Sequence, residues 1–275
     1  FDENSKFQDI EYSVRYGHNA DTNGNSSPTY INPKIELTLK NASVFNFWTT
    51  YESSGKNTTI TRKFIDSPFI KRPAKYNYGM AFNSKNYSNS AFGIKANFER
   101  GSKNNSWNSD GYKKTWMEAA YYFFPLDFLT MKMGFSLRDQ QEWLKWIDTN
   151  HLAAYDANEK FLTFDLNYFE GNKQELRLKA QFVALKANNP TSLESNNAGY
   201  LTASDKTVNS FNVGEAAFQI RYKYELAPLS NLYIVYSQGG NIFEENIDSN
   251  TTSIVDDSWS NPSGKVFAVK LRLRF

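Results

Sequence analysis

Apolar and polar residues alternate with a period of two through most of this chain, and that period belongs to strands rather than helices. Ile10, Tyr12, Val14 and Tyr16 alternate with Glu11, Ser13 and Arg15, and Ile35, Leu37 and Leu39 alternate with Glu36, Thr38 and Lys40. The pattern returns over 76–83, 94–99, 129–138, 164–168, 176–182 and 218–225, and again over the final stretch KVFAVKLRLRF. No segment carries helical periodicity, so the expectation is a sheet protein without helices.

The links between these strands alternate too. KNAS (40–43), NSKN (83–86), FPLDF (124–128), EGNK (170–173) and APLS (227–230) are short. Between them stand long links rich in Asn, Ser, Asp and Gly, at roughly 18–32, 55–75, 101–111, 139–159, 187–210 and 241–263. Strict interchange of short and long links fits an antiparallel up-and-down transmembrane β-barrel, with short periplasmic turns and long extracellular loops. About twelve strands fit between the links, which puts both chain ends on the short-turn side and makes 1–275 a single outer-membrane barrel domain. A soluble sandwich also alternates, but its strands usually run to about five or six residues, whereas these often reach ten or more.

Composition agrees. No apolar stretch approaches the roughly 18 to 20 residues that a spanning helix needs. Aromatics make up 16% of the chain, and Phe45, Phe47, Tyr51, Tyr121, Phe123, Tyr168, Tyr222 and Tyr224 stand near strand ends, where interfacial girdles form. The net charge of +2 leaves no bulk field for nucleic acid. The absence of cysteine removes disulfides, thiol nucleophiles and cysteine metal sites together. No leader opens the chain, so an export signal is expected to have been removed or to lie outside it.

The last strand has a second meaning. Phe267, Val269, Leu271, Leu273 and Phe275 alternate up to a terminal aromatic residue, a pattern similar to the C-terminal signal through which outer-membrane proteins meet the barrel-assembly machinery. Outer-membrane lipid and that machinery are the expected partners.

FIKRPAKYNYGMAFNS (69–84), FLTFDLNYFEGNKQELRLKAQFVALKA (161–187) and FQIRYKYELAPLSNLYIVYSQGG (218–240) resemble a family of large bacterial envelope proteins of unknown function. Its members join an N-terminal module, similar to family-nine carbohydrate-binding modules, to a C-terminal outer-membrane barrel. The resemblance implies an outer-membrane location, a Gram-negative source, a parent barrel with more strands, and a missing N-terminal domain or envelope complex as partner. Nothing in this chain resembles the sandwich module, so carbohydrate binding is not carried over.

Cationic side chains cost about 2–4 kcal/mol near the lipid midplane, so the alternating charges are expected to line the lumen. Arg177, Lys179, Arg221, Lys223, Lys270, Arg272 and Arg274 make one side of that wall basic, while Glu11, Glu36, Glu99 and Glu118 with Arg15, Lys40, Lys95 and Lys132 form a balanced set. Two readings stay open: a pore or translocation component for polar or anionic solutes or a polypeptide segment, and a filled barrel whose charges neutralise one another, serving as anchor or complex subunit. Trp143, Trp146 and Tyr155 are expected on a loop, placed to stack on a ligand or to belong to a girdle.

Catalysis is not expected. His18 and His151 are the only histidines, and no nucleophile-elbow spacing accompanies them. His151 with Asp148 and Asp156 makes an unspecific acid–imidazole set. The acidic stretches FEENIDSN (243–250) and VDDS (255–258) offer hard oxygen ligands without EF-hand spacing, so neither a metal nor a cofactor is assigned.

Overall fold

In a computed structural model of the chain, residues 5–18, 28–57, 60, 69–101, 113–171, 173–245 and 249–274 are described. Among these residues fifteen strands are present: β1 (Phe7–Gly17), β2 (Tyr30–Leu39), β3 (Val44–Glu52), β4 (Gly55–Asn57), β5 (Ile70–Arg72), β6 (Lys75–Asn83), β7 (Ser90–Gly101) and β8 (Lys113–Leu126) in the first half. The second half holds β9 (Leu129–Asp148), β10 (His151–Glu170), β11 (Gln174–Ser195), β12 (Leu201–Ala203), β13 (Phe211–Ala227), β14 (Ser230–Glu245) and β15 (Gly264–Arg272). Twelve of them form one antiparallel meander in the order β1-β2-β3-β6-β7-β8-β9-β10-β11-β13-β14-β15, with β12 added against β11 and β4 paired with β5.

Register makes the sheet two-sided. Tyr12, Ile35 and Phe47 stand opposite one another on neighbouring strands, as do Tyr121, Met133 and Phe164, and Leu178, Ile220 and Tyr236 further along. One continuous face is therefore apolar and the alternate face polar, the arrangement a lipid-facing wall requires. Rings cluster at both levels of the apolar face: Phe45, Phe82 and Phe92 follow one another at 4.5 and 5.5 Å and Phe128 meets Tyr168 at 5.8 Å near the turns, while Tyr51 meets Tyr76 at 5.1 Å at the opposite end.

All five short links lie at the same end of the sheet, as do the start of β1 and the end of β15. The Lys40 N–H donates to the Lys6 carbonyl, and the Arg274 N–H donates to Ser230 Oγ. The edges do not meet: among the described residues no pairing joins β1 to β15, so the expected closure between first and last strands is not seen.

Two further expectations are corrected. The links placed at 139–159 and 187–210 are largely strand, since β9 and β10 meet in a tight hairpin at residues 149–150 and β11 continues to Ser195. Both faces of these extensions are covered. Leu152, Ala154 and Leu193 pack with Ile70 and Leu201, while Ala153, Tyr155 and Ala187 pack with Phe211. The helix-free expectation also fails: α1 (Thr251–Ser260) forms, with the Asn250 side chain accepting from the Ser253 N–H at its start. It lies on the apolar face over β11, β13 and β14, with Ile254 and Ser258 fully buried and Trp259 against Phe182 and Phe218.

Candidate functional site

The polar faces of β6 to β11 line one hollow of about 1000 Å³ toward the short-turn half of the wall. Lys95, Lys132, Arg177 and Lys179 face it together with Glu118 and Asp165, so cations outnumber carboxylates. Pairing is partial: Lys95 lies 3.5 Å from Glu118 and Lys179 3.7 Å from Asp165, while Arg177 contacts Glu175. The Lys132 ammonium stands 5.2 Å from the centroid of the Tyr122 ring. Above this level the same face is more neutral, with Lys75 held between Glu52 and Glu99 at 3.0 and 3.1 Å and Arg138 on Glu159 at 3.2 Å.

Register explains why the excess is basic. Arg177 sits directly opposite Arg221, and Glu175, Lys223, Tyr233 and Lys270 form one row across β11 to β15. Arg272 stands opposite Asn231 on the same face, and Arg274 lies just past the strand, its backbone held by Ser230. The basic residues singled out by alternation thus share one face of adjacent strands, though only Arg177 and Lys179 reach the hollow. Lys95 and Lys132, counted in the balanced set, join them there because β9 and β10 place Lys132 opposite Asp165. Phe267, Val269, Leu271 and Leu273 are exposed along the apolar edge; Phe275 lies outside the described residues.

The tryptophans are strand residues, not loop residues. Trp143 lies 6.2 Å and Phe211 5.1 Å from Tyr155, which is 3% exposed, so these rings are committed to packing. Trp146 donates to the Thr149 carbonyl in the hairpin. Lys145 completes the cluster with its ammonium 4.0 Å from the Phe211 centroid, and burial pushes its pKa down against the opposing pull of Glu245. Glu142 bulges from the ladder with φ of 57°, and burial, then Asp156, raises its carboxyl pKa.

A raised acid pKa means that the folded state favours the neutral form. Stability contributed at low pH is lost as pH climbs from the ordinary carboxylate value through the raised folded one. Glu142→Gln is expected to flatten this mildly acidic dependence of the outer hairpin, read by amide exchange of β9 and β10 at several pH values.

Neither histidine completes a catalytic relay. His151 is 3% exposed with Nε2 2.9 Å from Ser192 Oγ, but Nδ1 stands 3.9 Å from Asp148 and has no hydrogen-bond partner. Asp156 accepts from Asn189 instead, and His18 meets Thr29. Of the acidic stretches, Asp256 and Asp257 lie on α1, and residues 246–248 are outside the described part. No group of three or more His, Asp or Glu suited to a metal occurs among the described residues, and no helix among them is long and apolar enough to cross a membrane.

A family model with the description "Domain of unknown function (DUF5916)" matches residues 1–274. No curated protein matches. Among solved structures the chain is similar to "Copper transporter OprC", with a TM-score of 0.51 at 8% identity, covering 96% of this chain and 42% of that one. The likeness is one of fold, and this chain spans less than half of that protein's length.

Proposed function

The chain belongs to the DUF5916 family, and we propose that it is wall-forming material of an outer-membrane transport barrel that passes a polar or anionic solute along its basic inner face. The carrying observation is the hollow where Lys95, Lys132, Arg177 and Lys179 outnumber Glu118 and Asp165 on the face opposite the apolar one. Cations held on a low-dielectric wall concentrate anions near it. The fold-level likeness to a transporter barrel supports the class of protein and says nothing of the solute. The role is non-enzymatic, and lipid and the barrel-assembly machinery, reached through β15, are the proposed partners.

A second reading, an anchor or subunit of a larger envelope complex, is favoured by the pairing of Lys95 and Lys179 with acids, which neutralises part of the wall. Conductance of the purified protein in a planar bilayer under a salt gradient separates the two. Discrete anion-preferring steps are expected, and the preference should fall in the triple variant Lys132→Gln, Arg177→Gln, Lys179→Gln. Silence from folded, inserted protein would transfer the role to the anchor.

A further inference from the structure

On the apolar face of β1 to β8, the last cross-strand row before the long links changes character partway across the sheet. Tyr16, Ile31, Tyr51 and Tyr76 stand opposite one another from β1 to β6, and the same row continues as Arg100 on β7 and Lys113 on β8. No register shift interrupts the ladders that join β6, β7 and β8, so the two cations share the face of the exposed Phe98 and Met117 rather than that of the hollow. Tyrosine rings settle at the headgroup level of a membrane, which fixes the depth of the row. Both cations stand where lipid headgroups begin.

Two like charges directly opposite each other repel, and more strongly beside lipid than in water. Among the described residues neither cation has an ion-pair partner. Glu99 and Lys114 lie opposite each other on the other face, and Asp139 stands against Thr115 one pair inward. Lys160, on the apolar face of β10, is by contrast taken up by Thr251 of α1 at 2.9 Å.

We propose that Arg100 and Lys113 hold a phosphate monoester on the head of a glycolipid in the leaflet on the long-link side. The inference rests on the membrane reading above, not on conduction through the hollow. A phosphate monoester carries about −1.5 to −2 charges at neutral pH, enough to answer both cations, whereas the diester of an ordinary phospholipid carries a single one. The guanidinium presents a planar fork to two phosphate oxygens, and the ammonium adds a point charge beside it. Tyr76, next in the row, brings a phenol to the same depth, suited to a sugar hydroxyl.

Protein folded in neutral detergent micelles, titrated with lipid and read by native mass spectrometry, tests the site. A glycolipid with two phosphate monoesters on a disaccharide head is expected to bind at a lower midpoint than its dephosphorylated counterpart or phosphatidylglycerol. In the double variant Arg100→Gln, Lys113→Gln that midpoint should rise by roughly 30-fold. Lys113→Arg should keep most of the affinity, and Lys114→Gln, on the opposite face, should change nothing. Arg100 and Lys113 are both exposed, so neutral replacements leave the fold intact, which circular dichroism checks. Equal midpoints for the dephosphorylated lipid or for phosphatidylglycerol, or an unmoved midpoint in the double variant, would each overturn the glycolipid site while leaving the conductance of the hollow untouched. Protein that enters neither micelle nor vesicle would remove the membrane reading and the site with it.

Discussion

Met133→Arg is expected to destabilise the inserted wall more than any substitution on its polar face. Met133 lies midway along the apolar run from Leu129 to Leu137 of β9, with Tyr121 and Phe164 as its cross-strand neighbours. Arginine is longer than methionine, but Met133 is exposed on the apolar face, so the added length is accommodated and the change tests charge. A guanidinium near the lipid midplane costs about 2–4 kcal/mol, a large fraction of the roughly 5–15 kcal/mol that holds a folded domain together. The folding equilibrium constant extrapolated from a denaturant titration in lipid vesicles should fall by roughly 30- to 1000-fold, taking about 1.4 kcal/mol per factor of ten. Gln219→Arg, on the opposite face of β13, should be tolerated. If the two variants were equally damaged, or Gln219→Arg the worse, the assignment of faces would be inverted.

The second large effect concerns α1. Gly214 and Gly240 form a notch in the apolar face: a Cβ at Gly240 would overlap the Ser258 carbonyl, and one at Gly214 would stand 2.7 Å from the Ile254 carbonyl oxygen. Gln238 also donates to the Trp259 carbonyl at 2.9 Å. Gly240→Val fills the notch with backbone on the other side, where nothing flexible can yield, and overpacking of this kind costs about 1–3 kcal/mol. Because valine suits a strand better than glycine does, the wall should persist while the helix lifts away. Faster amide exchange over 251–260 and a red-shifted tryptophan emission, with exchange of β13 and β14 unchanged, are the expected readouts. Unchanged protection of α1 would mean that the helix is held mainly at its start, by Lys160 on Thr251 and by the Asn250 cap.

Much of this architecture is legible in the residues. Period two persists wherever one face is apolar and the other polar, so the alternations at 10–16, 129–138 and 218–225 locate strands β1, β9 and β13, and all five short turns fall where Asn, Pro and Gly mark them. The outer halves of β9, β10 and β11 were not legible, for a physical reason. In 152–155, consecutive residues Leu152, Ala153, Ala154 and Tyr155 enter two different clusters on opposite sides of the hairpin. With both faces covered, the alternation disappears.

The hollow shows the same division. Each charged residue's face follows from parity alone, and so the basic character of β11 to β15 can be read from the chain. Which charges meet cannot, because that depends on cross-strand register. Only pairing places Lys132 beside Asp165 and Arg177 beside Arg221.

What the sequence by itself determined is local: strand type, the faces of each strand, the turn end, and an apolar band suited to lipid, all set by side-chain period and turn chemistry within a few residues. What only the tertiary structure decided is everything that depends on distant segments meeting. TTSIVDDSWS has too few apolar residues to declare a helix, and α1 is stabilised by a notch cut by glycines 18 and 40 residues away from Ser258 and Ile254. The open edges are likewise invisible in the pattern, since β1 and β15 read like every other strand, and whether they meet depends on the curvature accumulated over all twelve.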